Sequence, residues 1–106
     1  MAFTIKQNDT SPSLKATLSD ANSIPVDLSG ATVMLHTKVF GGALALDKQM
    51  TITNPTGGVV QYDWQTGDTS NVGTYYVEFE VTYSDGSVET FPNTGSLPLV
   101  ITRELN

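Results

Sequence analysis

The stretch Tyr75-Tyr76-Val77-Glu78-Phe79-Glu80-Val81-Thr82-Tyr83 decides the fold class. Its odd positions carry Tyr, Val, Phe, Val and Tyr, and its even positions Tyr, Glu, Glu and Thr. A period of two turns one row inward and the other toward water, the pattern of a half-buried antiparallel strand. Asp85-Gly86 follows, a pair favoured in type I′ hairpins because both residues accept positive φ. Val88 to Phe91 then supplies the return strand before Pro92.

The same pattern recurs on both sides of this hairpin. Ala31 to Val39 is rich in β-branched residues and sets Val33, Leu35 and Val39 on one face. Ser13 to Ser19 alternates Leu14, Ala16 and Leu18 with polar neighbours. Phe3 to Ile5, Met50 to Thr53, Val59 to Trp64 and Leu97 to Arg103 are further strands, with Pro98 marking an edge or a strand start. Turn chemistry lies between them, as in Asn54-Pro55-Thr56-Gly57-Gly58. No segment keeps a helical period over ten residues, and Asp68 to Asn71 supports one helical turn at most. Seven to eight short strands at regular spacing predict an all-β antiparallel sandwich over residues 1–106, a single domain. Asn71-Val72-Gly73-Thr74-Tyr75-Tyr76-Val77 resembles the start of strand F in immunoglobulin folds, where a tyrosine bonds backbone across a corner. Tyr75 takes that role.

Length and charge bound the function. A chain of 106 residues can bury roughly two-thirds of its unfolded surface, enough for one core without staples. Cysteine is absent and His36 is the only histidine, which excludes disulfide frameworks, thiolate metal sites and cysteine nucleophiles. Eleven acids against five bases give a net charge of −6, a sign that repels nucleic acid and anionic membranes. No apolar run approaches the length of a membrane span, and the first residues lack the basic and apolar regions of a signal peptide. The protein is expected to be made in the cytoplasm.

Candidate chemistry is sparse. His36 lies on the polar face of its strand with no serine nucleophile motif beside it. Glu78 and Glu80 share one strand face, which is the form of an acidic solvent face rather than of carboxylates set across a cleft. Asp9, Asp20, Asp27, Asp63, Asp68 and Asp85 fall in or near turns, where calcium ligands can converge, yet no Asp-x-Asp-x-Asp loop exists and turn aspartates ordinarily cap backbone. We therefore expect no enzyme, no cofactor and no metal. The stretch from Val39 to Leu46 joins two strands yet carries Phe40, Leu44 and Leu46 around two glycines. It is either a continued strand facing the core or an apolar tip that docks on a partner. Met1 and Phe3 form a second docking candidate, able to add to a neighbour's sheet edge. If the domain instead binds sugars, the aromatics to do so are Tyr62, Trp64 and Tyr76, the first two of which also suit core and capping roles.

An ordered series of segments carries a family resemblance. Phe3 to Leu18, with Asn8-Asp9-Thr10-Ser11-Pro12 inside it, is followed by Ile24-Pro25-Val26-Asp27-Leu28-Ser29-Gly30-Ala31-Thr32-Val33. Gly57-Gly58-Val59-Val60-Gln61-Tyr62-Asp63-Trp64 comes next, then Gly73 to Val81 and Thr90-Phe91-Pro92. This succession resembles the N-terminal domain of the upper baseplate proteins of tailed bacteriophages that infect Gram-positive hosts. The resemblance implies an immunoglobulin-like sandwich that attaches one virion component to another, present in several symmetric copies. Larger proteins of that family continue into coiled-coil and further segments that hold receptor-binding proteins. A sequence of this length is expected to serve at the tail or baseplate. The alternatives are a head-decoration or neck protein, or an adhesion module for host-surface glycans.

Overall fold

The computed structural model describes residues 3–39 and 44–105. Within them nine strands and no helix occur: β1 (Phe3–Lys6), β2 (Leu14–Thr17), β3 (Thr32–Val39), β4 (Leu44–Gln49), β5 (Thr51–Asn54), β6 (Val59–Tyr62), β7 (Gly73–Thr82), β8 (Val88–Phe91) and β9 (Leu97–Thr102). One sheet runs β1-β9-β7-β3-β4, with β8 also paired to β7, and the second runs β2-β6-β5. All pairings are antiparallel except β1 with β9, which is parallel. Parallel neighbours need a long crossover; here the chain leaves β1 for the other sheet and returns to its side only at the end.

Alternation in β7 holds as expected. Tyr75, Val77, Phe79 and Val81 are buried, while Tyr76, Glu78, Glu80 and Thr82 face outward. β3 contributes Val33, Leu35 and Thr37 to the same interior, and β2 and β6 oppose them with Leu14, Val60 and Tyr62. Val39, expected inward, is exposed, and Thr37 holds the buried place instead.

Two further expectations change and one holds. The strand count rises from the expected seven to eight to nine because Leu44–Gln49, whose first residues fall in the stretch read as either a continued strand or a docking tip, pairs antiparallel with β3. Met50 then carries the chain from that sheet to β5 in the other. The turn after β7 is not type I′, since only Gly86 has positive φ there. Gly86 N donates to Tyr83 O (2.9 Å) and Tyr83 N to Ser87 O (2.8 Å), a three-residue loop with glycine at the left-handed position. The Asp85 carboxylate accepts from Ser87 N and Oγ, which holds Asp85 itself right-handed. Pro98 is the second residue of β9, the strand start that was one of its two readings; β9 is an interior strand, but its pairing with β1 begins only at Leu99, so the absent N–H interrupts no ladder on that side.

The loops have hydrogen bonds of their own. Gln7 Nε2 donates to Ser70 O, Asn8 N to Thr69 O, and Thr69 Oγ1 to Asp9 O. Tyr75 makes the anticipated corner, its hydroxyl donating to Asn71 O at 2.6 Å. Tyr75→Phe removes that donor alone and is expected to cost about 1 kcal/mol. Urea denaturation checks this as a lowered midpoint at unchanged slope.

Candidate functional site

Two aromatic residues proposed for sugar contact are core residues. Val60, Tyr62 and Trp64 form one inward row, with Tyr62 6% and Trp64 4% exposed. Trp64 Nε1 donates to Pro12 O at 3.0 Å, and its ring meets Tyr62 edge-on at 5.4 Å between centroids. The Tyr62 hydroxyl donates to Asp68 Oδ2 at 2.5 Å, and Asp68 also accepts from Gln65 N. Burial, reinforced by Asp68, raises the Tyr62 pKa. Neither ring offers a free face to a ligand. Both serve the core and its caps.

Docking candidates are likewise redistributed. Phe3 is half-buried, packs on the core and tilts against Trp64 at 5.9 Å, so it is anchored rather than projecting. Leu46 is half-buried against the core as well, as a continued strand requires. Leu44 begins β4, but its side chain, like Met1 and Phe40, lies outside the described residues.

Tyr76 stands apart on the outer face of the larger sheet. There a cleft of about 570 Å³ is lined by His36, Lys38, Tyr76, Glu78 and Ser96 among others. Register explains the grouping, because His36 lies opposite Asp47 on one side and Glu78 on the other. His36 Nδ1 is 3.3 Å from Asp47 Oδ1, and Nε2 is 3.8 Å from Glu80 Oε1. These are cross-strand surface contacts of the kind that contribute a few tenths of a kcal/mol to about 1 kcal/mol. Between the two sheets lies a groove that sequence reading did not find. It is open between β2 and the end-to-end pair β8 and β9, with Ala16, Phe79, Phe91 and Leu97 among its walls.

The Asp20, Asp27, Asp63, Asp68 and Asp85 carboxylates accept hydrogen bonds from backbone amides or side chains. Asp20 accepts from Asn22 N and Ile24 N, and Asp27 from Ser29 Oγ and N. Among the described residues no group of three acidic or histidine side chains is arranged to hold a metal ion. The Ser29 hydroxyl, then its amide, lowers the Asp27 pKa; Ser87 does the same for Asp85, and Ser13 with Gln61 for Asp63. A carboxylate depressed in the folded state contributes stability above its unfolded pKa and loses it as pH falls through the folded one. Carboxyl-carbon NMR titration is therefore expected to give Asp27 and Asp85 midpoints below ordinary aspartate, with stability declining below about pH 4. Ser29→Ala is expected to move the Asp27 midpoint upward and leave that of Asp85 unchanged.

No curated protein matches the chain in sequence. Among solved structures, CopC from Methylosinus trichosporium OB3b superposes with a TM-score of 0.56 at 15% identity, over 99% of this chain and 87% of that one. That likeness shows the fold alone. No helix of the described residues is long and apolar enough to cross a membrane. The family described as the BppU N-terminal domain, a domain of the phage baseplate upper protein, matches residues 2–92. The segments that carry the resemblance, from β1 to Pro92, all fall inside this match, and the chain belongs to that family.

Proposed function

We propose that this chain is a non-catalytic structural module of the phage tail that joins baseplate components by protein–protein contact, using an immunoglobulin-like sandwich as a rigid plug. The observation that carries this reading is the family match across residues 2–92, which spans β1 to β8 and the loops between them. Two features of the molecule support it. Its aromatic residues Tyr62 and Trp64 are spent on the core, and its histidine is held between carboxylates on a sheet surface. Repetition around a symmetric particle suits a compact module with a defined contact strip. Mass spectrometry of purified virions is expected to find this polypeptide in fixed ratio to tail proteins, and cryo-EM to place it at the baseplate. Its absence from virions overturns the reading, and density on the capsid or neck moves it to those sites.

A second reading, glycan contact, keeps one aromatic. Tyr76 borders the open cleft beside His36, Glu78 and Ser96, where hydroxyl-bearing ligands find donors and acceptors. Glycan-array binding that Tyr76→Ala abolishes and Trp64→Phe preserves supports it.

A further inference from the structure

We infer that the outer edge of β2 receives an extended segment of another protein, which adds as a fourth strand to the three-stranded sheet and carries a carboxylate between two apolar side chains. The inference rests on the baseplate-docking reading and names the chemistry of the partner.

An edge strand presents a row of unpaired N–H and C=O groups, and proteins blunt such edges with bulges, charges or proline. The register of β5 on β6 shifts between Ile52 and Asn54, and that of β4 on β3 shifts at Thr37/Lys38. β8 runs directly into Pro92. β1, the outer strand of the larger sheet, and β2 both differ from these three in having an unshifted ladder, and of the two only β2 supplies a wall, Ala16, to all three clefts beside it. Its ladder with β6 is unbroken from Leu14↔Tyr62 to Thr17↔Val59, and among the described residues no strand pairs with its other side.

Beside that free edge the sandwich is open. Three adjoining clefts of about 80, 230 and 510 Å³ all share Ala16 and Leu97. The first two reach inward to Phe79, which is 1% exposed, and the second has Phe91 on its far wall. Within β2, Leu14 and Ala16 face this interior while Lys15 and Thr17 face water. A strand laid along the edge therefore turns the residues beside Leu14 and Ala16 toward the clefts, and the residue between them toward Lys15. Apolar side chains suit the former positions and a carboxylate the latter, since opposite charges on neighbouring strands attract.

Lys15 also decides between partners. A lysine on an edge strand opposes pairing with a second copy, which would bring two like charges together on chains that each carry a net charge of −6. It selects instead for a segment that neutralises it. Asp63 lies within electrostatic reach of Lys15, but its Oδ1 already accepts from Ser13 Oγ and Gln61 Nε2.

The test uses a blocked seven-residue peptide with valines at positions 3 and 5 around a central glutamate, and a twin with lysine at the centre. The glutamate peptide is expected to slow hydrogen exchange at the Lys15 and Thr17 amides, which point away from β6, and the lysine twin to bind more weakly by about three- to tenfold. Lys15→Glu, a change at an exposed side chain, is expected to reverse that preference without altering the fold. Protection at β1, β4, β5, β8 or nowhere, or indifference of both peptides to Lys15→Glu, overturns the inference. So does concentration-dependent protection of the same amides without peptide, which assigns the edge to a second copy. Virion proteomics separates the two levels: a chain present in virions whose β2 edge ignores the peptides defeats this inference alone, and a chain absent from virions defeats the docking reading.

Discussion

Trp64→Ala is expected to destabilise the protein by about 3–5 kcal/mol, the range for removing a buried indole or phenyl ring. Trp64 bridges three parts of the core. Its ring lies against Phe3 of β1 and Tyr62 of β6, and its Nε1 holds Pro12 O in the loop before β2. Truncation leaves a cavity among those rings and a carbonyl without its donor. For a domain whose total stability lies in the usual range of about 5–15 kcal/mol, that is a large share. Chemical denaturation should show a much lower midpoint at a similar slope. Trp64→Phe keeps most of the volume and loses the N–H, so its cost is expected to fall well below that of alanine. A surface sugar platform would behave otherwise, since exposed substitutions usually change stability by less than about 0.5 kcal/mol. A Trp64→Ala protein as stable as the parent would therefore return Trp64 to the surface and reopen its role as a ligand contact.

The burial of Trp64 was legible in the sequence, because the period-two row Val60, Tyr62, Trp64 begins on a residue that is apolar beyond doubt. The same rule made β7 readable residue by residue, since its two rows differ sharply in polarity. It failed at β4. Leu44-Ala45-Leu46-Asp47-Lys48-Gln49 turns polar halfway, as an outermost strand can when only part of one face meets the core. The turn after β7 was misassigned for a local reason. Asp85-Gly86 satisfies the dihedral needs of a type I′ turn, but the Asp85 side chain also competes for Ser87 N, and that bond prevails. The contacts of His36 and the groove beside β2 were not readable. Both depend on which strands become neighbours, and strand order is a long-range outcome that no local pattern encodes. His36 meets Asp47 only through the β3–β4 register, and Ala16 faces Leu97 across eighty positions of chain.

Gly58→Ala carries the second large effect, and here the cause is backbone rather than core. Gly58 closes the β5–β6 loop with φ at +66°, a region that costs an L-residue about 1–2 kcal/mol. Strain alone would be tolerable, but space is also lacking. A Cβ at this position falls 2.7 Å from Leu18 O and 2.9 Å from Val26 O, both main-chain atoms that no rotamer change can clear. Those atoms belong to one knot, since Leu18 N donates to Gly58 O (2.8 Å) and Val26 N to Leu18 O (2.9 Å). Relieving the clash means parting the three loop segments and giving up at least one of these bonds, at a further cost of about 1–3 kcal/mol. Gly67 separates the two causes. Its φ is +93° but nothing lies within 4 Å of its Cβ position, so Gly67→Ala reports strain by itself and is expected to cost about 1–2 kcal/mol. Gly58→Ala should exceed it by a clear margin in thermal or urea unfolding, and hydrogen exchange should accelerate at Leu18 and Val26 only in that variant. Equal losses at the two glycines would mean that the knot yields without cost, and that the end of β2 is held less tightly than its hydrogen bonds imply.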